Sequence, residues 1–337
     1  MIDLSTEYLG MTLKNPLVPS ASPFAKDIDM ARRLEDAGAS AIVMNSLFEE
    51  EVTEDEERLD HLQHFQDIGH FEAASYLPAE ESYKTHLESY LEQLGGLKSA
   101  LDIPVVASLN GTTPIGWVHH ACQLQQAGAD ALELNIYYLP DDLRQPADIV
   151  EARYIETLIE LKMHIRIPVI MKLSPQFSSV GNFVKKLEAA GADGVSLFNR
   201  YYLPDIDLES LDVVPSLKLS SSVESRLSMR WIAMLHGRTN LTLAATSGIH
   251  TAEDAIKLLL AGADVTHMCS ALLQHGPEHL GEVLRGVEQW MEEKEYESVS
   301  QLRGSVSYLN AKDPTAFERA NYIKALGSFE SPKGVWR

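Results

Sequence analysis

Four asparagines and one lysine stand at comparable places in this 337-residue chain. Each asparagine follows a short apolar run: Asn45, Asn110, Asn135 and Asn199. Lys172 lies inside the apolar stretch PVIMKLSP, where it needs a ligand or a carboxylate to offset its charge. Amide side chains both donate and accept hydrogen bonds, which suits a flat heterocycle with carbonyl and ring N–H groups. The lysine would stabilise negative charge on such a ring.

The residue types at these positions do not suit other kinds of site. An asparagine after a strand is often only a turn residue, but four of them at equivalent points of a repeat argue against coincidence. The set contains no carboxylate pair, no His–Cys ligand group and no nucleophile elbow, which disfavours hydrolytic and metal sites.

A repeated unit places these residues. Ala127–Asp142 reads AGADALELNIYYLPDD, and Ala190–Asp207 repeats it as AGADGVSLFNRYYLPDID, while Ala37–Ser46 and Ala261–Ser270 are weaker copies. The AGA tripeptide predicts a helix C-cap, where glycine adopts the left-handed conformation. The solid apolar run that follows predicts a strand buried on both faces.

Eight such strands alternate with helices, which predicts an α/β fold, a (βα)8 TIM barrel. Residues 1–14 contain an N-terminal β-hairpin, and 277–337 form a C-terminal helix and tail. No composition break marks a linker, so 1–337 is predicted to be a single domain. A doubly wound sheet is the alternative fold, but its Gly-rich dinucleotide loop is not recognisable.

The strand ends meet at one mouth of such a barrel. The predicted ends carry, in chain order, Ser22, Asn45, Asn110, Asn135, Lys172, Asn199, Thr246 and Ser270. Thr246-Ser247-Gly248 and Cys269-Ser270 end strands seven and eight, where barrels commonly bind phosphate; an ordinary turn is the alternative. Amides, a lysine and a phosphate site together predict FMN, with Lys172 near the flavin N1–C2 carbonyl.

The composition of the chain limits the kinds of molecule that it is expected to bind. The formal net charge of -21 disfavours nucleic acids and anionic membranes, which would be repelled, but not a small-molecule substrate. Only Cys122 and Cys269 are present, so no disulfide framework is expected and a reducing cytoplasm is indicated. The N-terminus lacks a signal-peptide pattern, and no apolar run approaches the roughly 18 residues of a membrane span.

The segment after the second strand is longer than an ordinary βα connection. It predicts an active-site lid over residues 47–80, with a solvated helix as the alternative, and the acidic stretch 49–57 has no assigned role. His61, His64 and His70 lie in it, but they lack a tight ligand motif, so no metal site is predicted.

Nearly the whole chain resembles the dihydroorotate dehydrogenase family, especially its soluble FMN-only branch. The resemblance rests on NPLVPSAS (Asn15–Ser22), MKLSP (Met171–Pro175), TSGI (Thr246–Ile249), SALLQHGP (Ser270–Pro277) and YESVSQLRG (Tyr296–Gly304). It implies a homodimer that oxidises dihydroorotate to orotate in pyrimidine biosynthesis by hydride transfer to flavin. It also implies FMN contacts from Ala21, Ser22, Ser46, Asn110, Asn135, Lys172, Asn199, Ser247, Gly248, Cys269 and Ser270. Asn45 and Thr246, at strand ends, complete the predicted cofactor site.

The family pattern changes after the fourth strand. The family has Asn-Leu-Ser-Cys-Pro-Asn with Cys as the base, whereas this chain has NIYYLP, so Tyr138 stands at the base position and Pro140 replaces a substrate-binding Asn. The family's lysine at the end of the second strand is Asn45 here. A phenol is protonated at neutral pH, so it donates a proton better than it accepts one.

These residues give the predicted catalytic set. Tyr138, or its neighbour Tyr137, is expected to transfer a proton, and Lys172 and Asn135 are expected to act with it. Asn135, Asn199 and Tyr137 are expected to contact substrate. Aromatic packing is the alternative for both tyrosines.

Three alternative functions remain open. The enzyme could act on a different pyrimidine-like or enoyl substrate. Lys172 could be the Schiff-base nucleophile of a lyase. The chain could also bind flavin without turnover.

Overall fold

The structure, a computed structural model, describes residues 2–55, 57–58, 84–111, 114–201, 203–319, 321–328 and 330. Eight strands in this part of the chain form one parallel sheet: β3 (Leu17–Pro19), β4 (Ile42–Phe48), β5 (Val105–Asn110), β6 (Ala131–Asn135), β7 (Val169–Leu173), β8 (Gly194–Leu197), β11 (Thr242–Thr246) and β12 (Val265–Met268). Two antiparallel pairs lie outside it: β1 (Thr6–Tyr8) with β2 (Met11–Leu13), and β9 (Asp205–Asp207) with β10 (Asp212–Val214).

The sheet closes on itself almost completely. Its strands follow in the order β3-β12-β11-β8-β7-β6-β5-β4, so β3 and β4 are its two ends. Both the N–H and the hydroxyl of Ser40 donate to the carbonyl of Leu17, at 3.2 and 2.8 Å, and join these ends. The prediction of a (βα)8 TIM barrel with an N-terminal hairpin is confirmed.

Seven helices alternate with the barrel strands: α1 (Ile28–Asp36), α2 (His86–Ala100), α3 (Pro114–Gln126), α4 (Ala147–His164), α5 (Val180–Ala189), α6 (Ser225–Leu235) and α7 (Ala252–Ala261). Four more follow β12 in the described part of the chain: α8 (Ser270–His275), α9 (His279–Glu293), α10 (Val299–Leu302) and α11 (Asn321–Gly327). Alternate strand residues point outward to these helices, as the two-residue period of a strand requires. Leu132 and Leu134 of β6, for example, belong to the same buried cluster as Leu158 of α4.

The inward residues at the amino ends of the strands are apolar. Val43, Val106 and Ile170 share a buried cluster with Tyr8 and Leu13 of the hairpin. The hairpin therefore closes this end of the barrel, and the other end is left for a site.

The glycines of the AGA tripeptides behave as the repeat predicts. Gly38, Gly128, Gly191 and Gly262 all have positive φ, at 108°, 96°, 98° and 120°. They follow helices α1, α3, α5 and α7, where the left-handed residue ends the helix and lets the next strand begin. Each turn thus sets the point from which a strand runs toward the mouth.

The second strand of the barrel differs from the prediction. The apolar pattern predicts that it stops at Met44, but β4 continues through Asn45 and Ser46 to Phe48. Its register against β5 shifts between Val43 and Ser46, which is a β-bulge. The bulge absorbs an extra residue without ending the ladder, and bulges are common beside active sites.

Part of the predicted lid lies outside the described residues. Residues 49–55 are helical, whereas 59–83, which include His61, His64 and His70, are not described. The lid over 47–80 therefore stays a prediction.

Candidate functional site

Two adjoining cavities lie at the carboxyl ends of the barrel strands. Their volumes are about 510 and 250 Å³, and they share Asn199, Arg200 and Leu217 in their walls. Small-ligand pockets usually measure roughly 300–1,000 Å³, and the two adjoining cavities together fall within this range.

Amide side chains form one wall of the larger cavity. Asn110 ends β5, Asn135 ends β6, and Asn199 follows β8. Asn110 and Asn135 are register partners in neighbouring strands. The Asn199 Nδ2 donates to the Asn135 Oδ1 at 2.8 Å. The structure thus brings together three of the asparagines that the sequence analysis singled out.

Tyr137 and Tyr138 lie in different surroundings. Tyr137 lines the larger cavity, and its ring centroid is 4.2 Å from that of Tyr201. Tyr138 lines neither cavity; its hydroxyl donates to the Gln145 Oε1 at 2.6 Å, and the Arg153 guanidinium lies 4.1 Å from its ring centroid. Of the two tyrosines, Tyr137 is the one that a ligand in the cavity can contact, and the role of Tyr138 stays a prediction.

The smaller cavity gathers most of the other predicted cofactor residues. Its lining includes Ala21, Lys172, Asn199, Thr246, Ser247, Gly248, Cys269 and Ser270. They come from the carboxyl ends of five consecutive strands of the sheet, β3, β12, β11, β8 and β7. The structure therefore brings these residues together at one cavity, and their contact with a cofactor stays a prediction.

The turn at Ser247 and Gly248 is built for close backbone approach. Both residues have positive φ, at 75° and 74°. A Cβ on Gly248 would collide with the backbone N of Ser225 and lie 2.8 Å from the carbonyl oxygen of Ser221, so only glycine fits. The Gly248 N–H donates to the Ser220 Oγ at 3.3 Å. Serines thus surround the predicted phosphate site.

Lys172 forms an ion pair that the strand-end analysis missed. Its Nζ lies 3.1 Å from the Oε1 of Glu133, and the two side chains are 8% and 0% exposed. Glu133 precedes Asn135 by two residues, so both point to the same face of β6. An acid inside the buried run ALEL was the signal that could have found it.

Two other ionisable groups line the smaller cavity. Burial lowers the pKa of His267 to about 4, and Lys172 acts in the same direction, so His267 is neutral at pH 7. Burial raises the pKa of the Cys269 thiol, although Lys172 and Arg200 oppose the shift. Both groups are therefore uncharged neighbours of Lys172.

Arg200 is a second cation that the sequence analysis did not single out. It lines both cavities; its Nη1 donates to the Lys218 carbonyl at 2.7 Å, and its Nε lies 2.9 Å from a Glu224 oxygen. The signal was its place directly after Asn199, where the other repeat has an apolar Ile136. Arg200 puts positive charge where the two cavities meet.

Ser22, Asn45 and Ser46 are not in the lining of either cavity. Ser22 is buried before the turn Pro23–Lys26. The Ser46 Oγ lies 2.9 Å from the Oγ of Ser108. Asn45 sits in the bulge, and its buried Oδ1 has no hydrogen-bond partner among the described residues. Their predicted contacts with a cofactor stay predictions.

Comparison with known proteins places this architecture in a family. A family model described as dihydroorotate dehydrogenase matches residues 3–291. The chain belongs to the dihydroorotate dehydrogenase family. The resemblance stated from the sequence motifs is confirmed, and membership makes the chain an oxidoreductase that acts on a CH–CH bond.

Its relatives in this family are distant in sequence. Over 321 residues, the chain is 24% identical to the NAD-dependent dihydropyrimidine dehydrogenase subunit PreA of Escherichia coli strain K12, covering 90% of this chain and 76% of that protein. It is 26% identical over 308 residues to the catalytic subunit of dihydroorotate dehydrogenase B (NAD(+)) of Shouchella clausii, covering 88% and 95%. For the same subunit of Pyrococcus abyssi, the identity is 27% over 311 residues, covering 89% and 98%.

Membership in the dihydroorotate dehydrogenase family bears on the other readings of Lys172. The family model and the relatives are named as dehydrogenases, which favours redox chemistry over a lyase that uses Lys172 as its nucleophile.

The described part of the chain contains no group of three or more His, Cys, Asp or Glu residues that could hold a metal ion. No helix within it has both the length and the apolar character needed to cross a membrane.

Proposed function

We propose that the chain is an FMN-dependent dehydrogenase that acts on a small pyrimidine-like substrate, with oxidation of dihydroorotate to orotate, a step of pyrimidine biosynthesis, as the best candidate. The observation that carries this proposal is the arrangement of Lys172 beside the amide wall of Asn110, Asn135 and Asn199 at two adjoining cavities. A planar ring and a planar substrate could occupy such cavities side by side.

The smaller cavity fits the chemistry of a flavin. Lys172 would face the ring and favour negative charge on it, and FMN when bound would supply a two-electron acceptor. The Ser247–Gly248 turn lets the backbone approach the cofactor closely. The hydroxyls of Ser220 and Ser270, already hydrogen-bonded around this turn, would hold the phosphate.

The larger cavity fits a pyrimidine-like ring. Asn135 and Asn199 would bond its carbonyl and N–H groups. Tyr137 and Phe48 give the cavity aromatic surface. The Tyr137 hydroxyl would relay the proton lost from the carbon next to the oxidised one, accepting it while its own hydroxyl proton passes to water. Arg200 would attract a substrate carboxylate, such as that of dihydroorotate.

A second candidate substrate is an uncharged dihydropyrimidine. The relative named as a dihydropyrimidine dehydrogenase subunit covers 90% of the chain, which favours this possibility. The two candidates differ by the carboxylate, so Arg200 separates them. In Arg200→Gln, reduction of the flavin by dihydroorotate should be slower than in the wild type, while reduction of the flavin by dihydrouracil should be unchanged.

The test is anaerobic titration of the purified, FMN-loaded protein. Dihydroorotate should bleach the oxidised flavin absorption band, and dihydrouracil should do so if the second candidate is correct. A protein that neither contains nor takes up FMN would contradict the proposal, as would bound FMN that no tested pyrimidine reduces. The second outcome would favour flavin binding without turnover.

The proposal includes the cytoplasmic location and the homodimer that the family resemblance implies. Light scattering of the purified protein would give its mass. A monomer at micromolar concentration would contradict the homodimer without affecting the proposed chemistry.

A further inference from the structure

One buried acid of the barrel interior has no part in the proposed function. Glu133 lies in β6 between Leu132 and Leu134 and has no solvent exposure. Its Oε1 accepts hydrogen bonds from Lys172 at 3.1 Å and from Ser108 at 3.3 Å. Its Oε2 is buried without a hydrogen-bond partner among the described residues. Burial of a carboxylate oxygen without a hydrogen-bond partner lowers the stability of the folded protein. The presence of Glu133 therefore calls for a functional reason.

Glu133 reaches the cavities only through Lys172. Lys172 lines the smaller cavity, whereas Glu133 lines neither. An ammonium group has three N–H donors, and one of them is used by Glu133, so Lys172 retains donors for a ligand. Glu133 is therefore placed to act on the position and the field of Lys172 rather than on the ligand directly.

Further hydrogen bonds support the carboxylate. The Ser108 hydroxyl that donates to Glu133 also lies 2.9 Å from the Ser46 Oγ. The Tyr90 hydroxyl accepts from the Ser108 N–H at 3.0 Å and donates to its carbonyl at 3.2 Å. Because Ser108 is fixed from several sides, the carboxylate has a defined position beneath Lys172.

Two titratable groups beside the ion pair are uncharged at pH 7. His267, whose pKa shift includes contributions from both Glu133 and Lys172, is neutral because burial lowers its pKa to about 4. Burial raises the pKa of Tyr8, with Glu133 adding to the shift, so that phenol is also neutral. Arg200, a second cation at the smaller cavity, is paired with Glu224, so Glu133 is the carboxylate that acts on the field of Lys172.

We propose that Glu133 is a positioning residue that fixes the Lys172 ammonium at the flavin ring and offsets part of its charge. Reduction adds negative charge to the ring, which a nearby cation favours, and a carboxylate 3.1 Å from that cation weakens the effect. Glu133 thus limits how strongly the chain prefers reduced over oxidised flavin. This inference rests on the proposed function.

The experiment compares the two-electron midpoint potential of bound FMN in the wild type and in Glu133→Gln. Glutamine keeps the size and an acceptor oxygen but removes the charge. We expect the variant to bind reduced FMN, relative to oxidised FMN, about tenfold more tightly than the wild type, which is a rise of about 30 mV for a two-electron couple. The affinity of the flavin-free protein for oxidised FMN, measured by fluorescence quenching, should change less than about threefold.

A matched control lies on the outer layer of the barrel. Glu151 of α4 is buried and pairs with Lys186 of α5 at 2.7 Å, away from the residues that line the cavities. Glu151→Gln removes the same charge from a Glu–Lys pair whose lysine side chain is 46% exposed, and it should leave the midpoint potential unchanged. An equal shift in both variants would reduce Glu133 to a general structural role and overturn the inference.

Two further outcomes decide the remaining cases. If Glu133→Gln does not fold, Glu133→Asp keeps the charge but draws it back from Lys172, and a potential equal to that of the wild type would overturn the inference. FMN binding with an unshifted potential in Glu133→Gln overturns this inference alone. A wild type that binds no FMN overturns the proposed function together with it.

Discussion

The two halves of the barrel interior are equally buried but chemically opposite. Toward the amino ends of the strands, Val106 and Ile170 pack against the hairpin residue Leu13. Toward the carboxyl ends, strands β6 and β7 carry Glu133 and Lys172. Apolar burial contributes roughly 25 cal/mol per Å², whereas a buried ion pair often gives no net gain over apolar residues of the same volume. The half of the barrel interior at the amino ends of the strands, the lower half, therefore stabilises the fold. The half at the carboxyl ends, the upper half, keeps its charges because the proposed chemistry needs them.

The largest expected effect comes from making the upper half resemble the lower one. Lys172→Met leaves Glu133 buried without its partner, which should lower the free energy of unfolding by about 3–5 kcal/mol. It should also slow flavin reduction by substrate roughly 10²–10³-fold, because one electrostatic stabiliser is lost. Urea unfolding of the flavin-free protein and stopped-flow flavin reduction measure the two effects.

The double variant Lys172→Met/Glu133→Leu separates stability from chemistry. Because both charges are gone, its unfolding free energy should return to that of the wild type or exceed it, while flavin reduction stays slow. A double variant that is as unstable as Lys172→Met would show that the ion pair holds the barrel together, and the contrast between the halves would fail.

A smaller effect, limited to stability, is expected in the lower half. Leu13 is fully buried at the closed end of the barrel, so Leu13→Ala should lower the free energy of unfolding by about 2–4 kcal/mol. The rate of flavin reduction in the folded protein should be unchanged. A rate loss above tenfold at full folding would mean that packing at the hairpin controls the mouth.

The fold was predictable because its signals are local and repeated. Each AGA tripeptide ends a helix with a positive-φ glycine, and each following apolar run is a barrel strand. The end of β4 was not predictable, because a bulge depends on the partner strand rather than on the residues that form it. The hairpin of β9 and β10 is exposed, so no pattern of buried apolar residues predicts it from the sequence.

The site was predictable only in part. Lys172, Asn110, Asn135 and Asn199 could be found because each lies at or just after the carboxyl end of a buried strand. Glu133 was missed because only the residues at the ends of the predicted strands were considered. It lies two residues before the end of β6 and contacts Lys172 of the neighbouring strand β7. The different surroundings of Tyr137 and Tyr138 depend on how the chain turns after β6, which adjacent identical residues cannot reveal.

His267 lies at the border of the two halves and makes stability depend on pH. Its pKa is about 4 in the folded protein and near 6.5 when unfolded, because burial disfavours the charged ring. As pH falls from 6.5 toward 4, the unfolded chain binds a proton that the folded chain does not, so the free energy of unfolding falls, by roughly 3 kcal/mol over that window. Above pH 6.5 this contribution is fully present.

His267→Gln removes this titration and should flatten the pH dependence. The measurement is the difference in unfolding free energy between pH 7 and pH 4.5, in the wild type, in His267→Gln and in the exposed control His119→Gln. Carboxylates titrate equally in all three, so the comparison isolates His267. Equal slopes in the three proteins would mean that the upper half accepts another positive charge beside Lys172.

The smallest effect is expected just outside the upper half, at Tyr138. Its hydroxyl bonds Gln145 rather than facing a cavity, so Tyr138→Phe should remove one hydrogen bond, worth about 1 kcal/mol, and leave flavin reduction within roughly twofold of the wild type. Tyr137→Phe, one residue away and inside the cavity, should slow the same step more. If Tyr138→Phe instead lost most of the activity, the side chain would have to leave Gln145 when substrate binds. Tyr138, at the family's base position, would then transfer a proton in this chain, and the catalytic residues would extend beyond the upper half of the barrel interior.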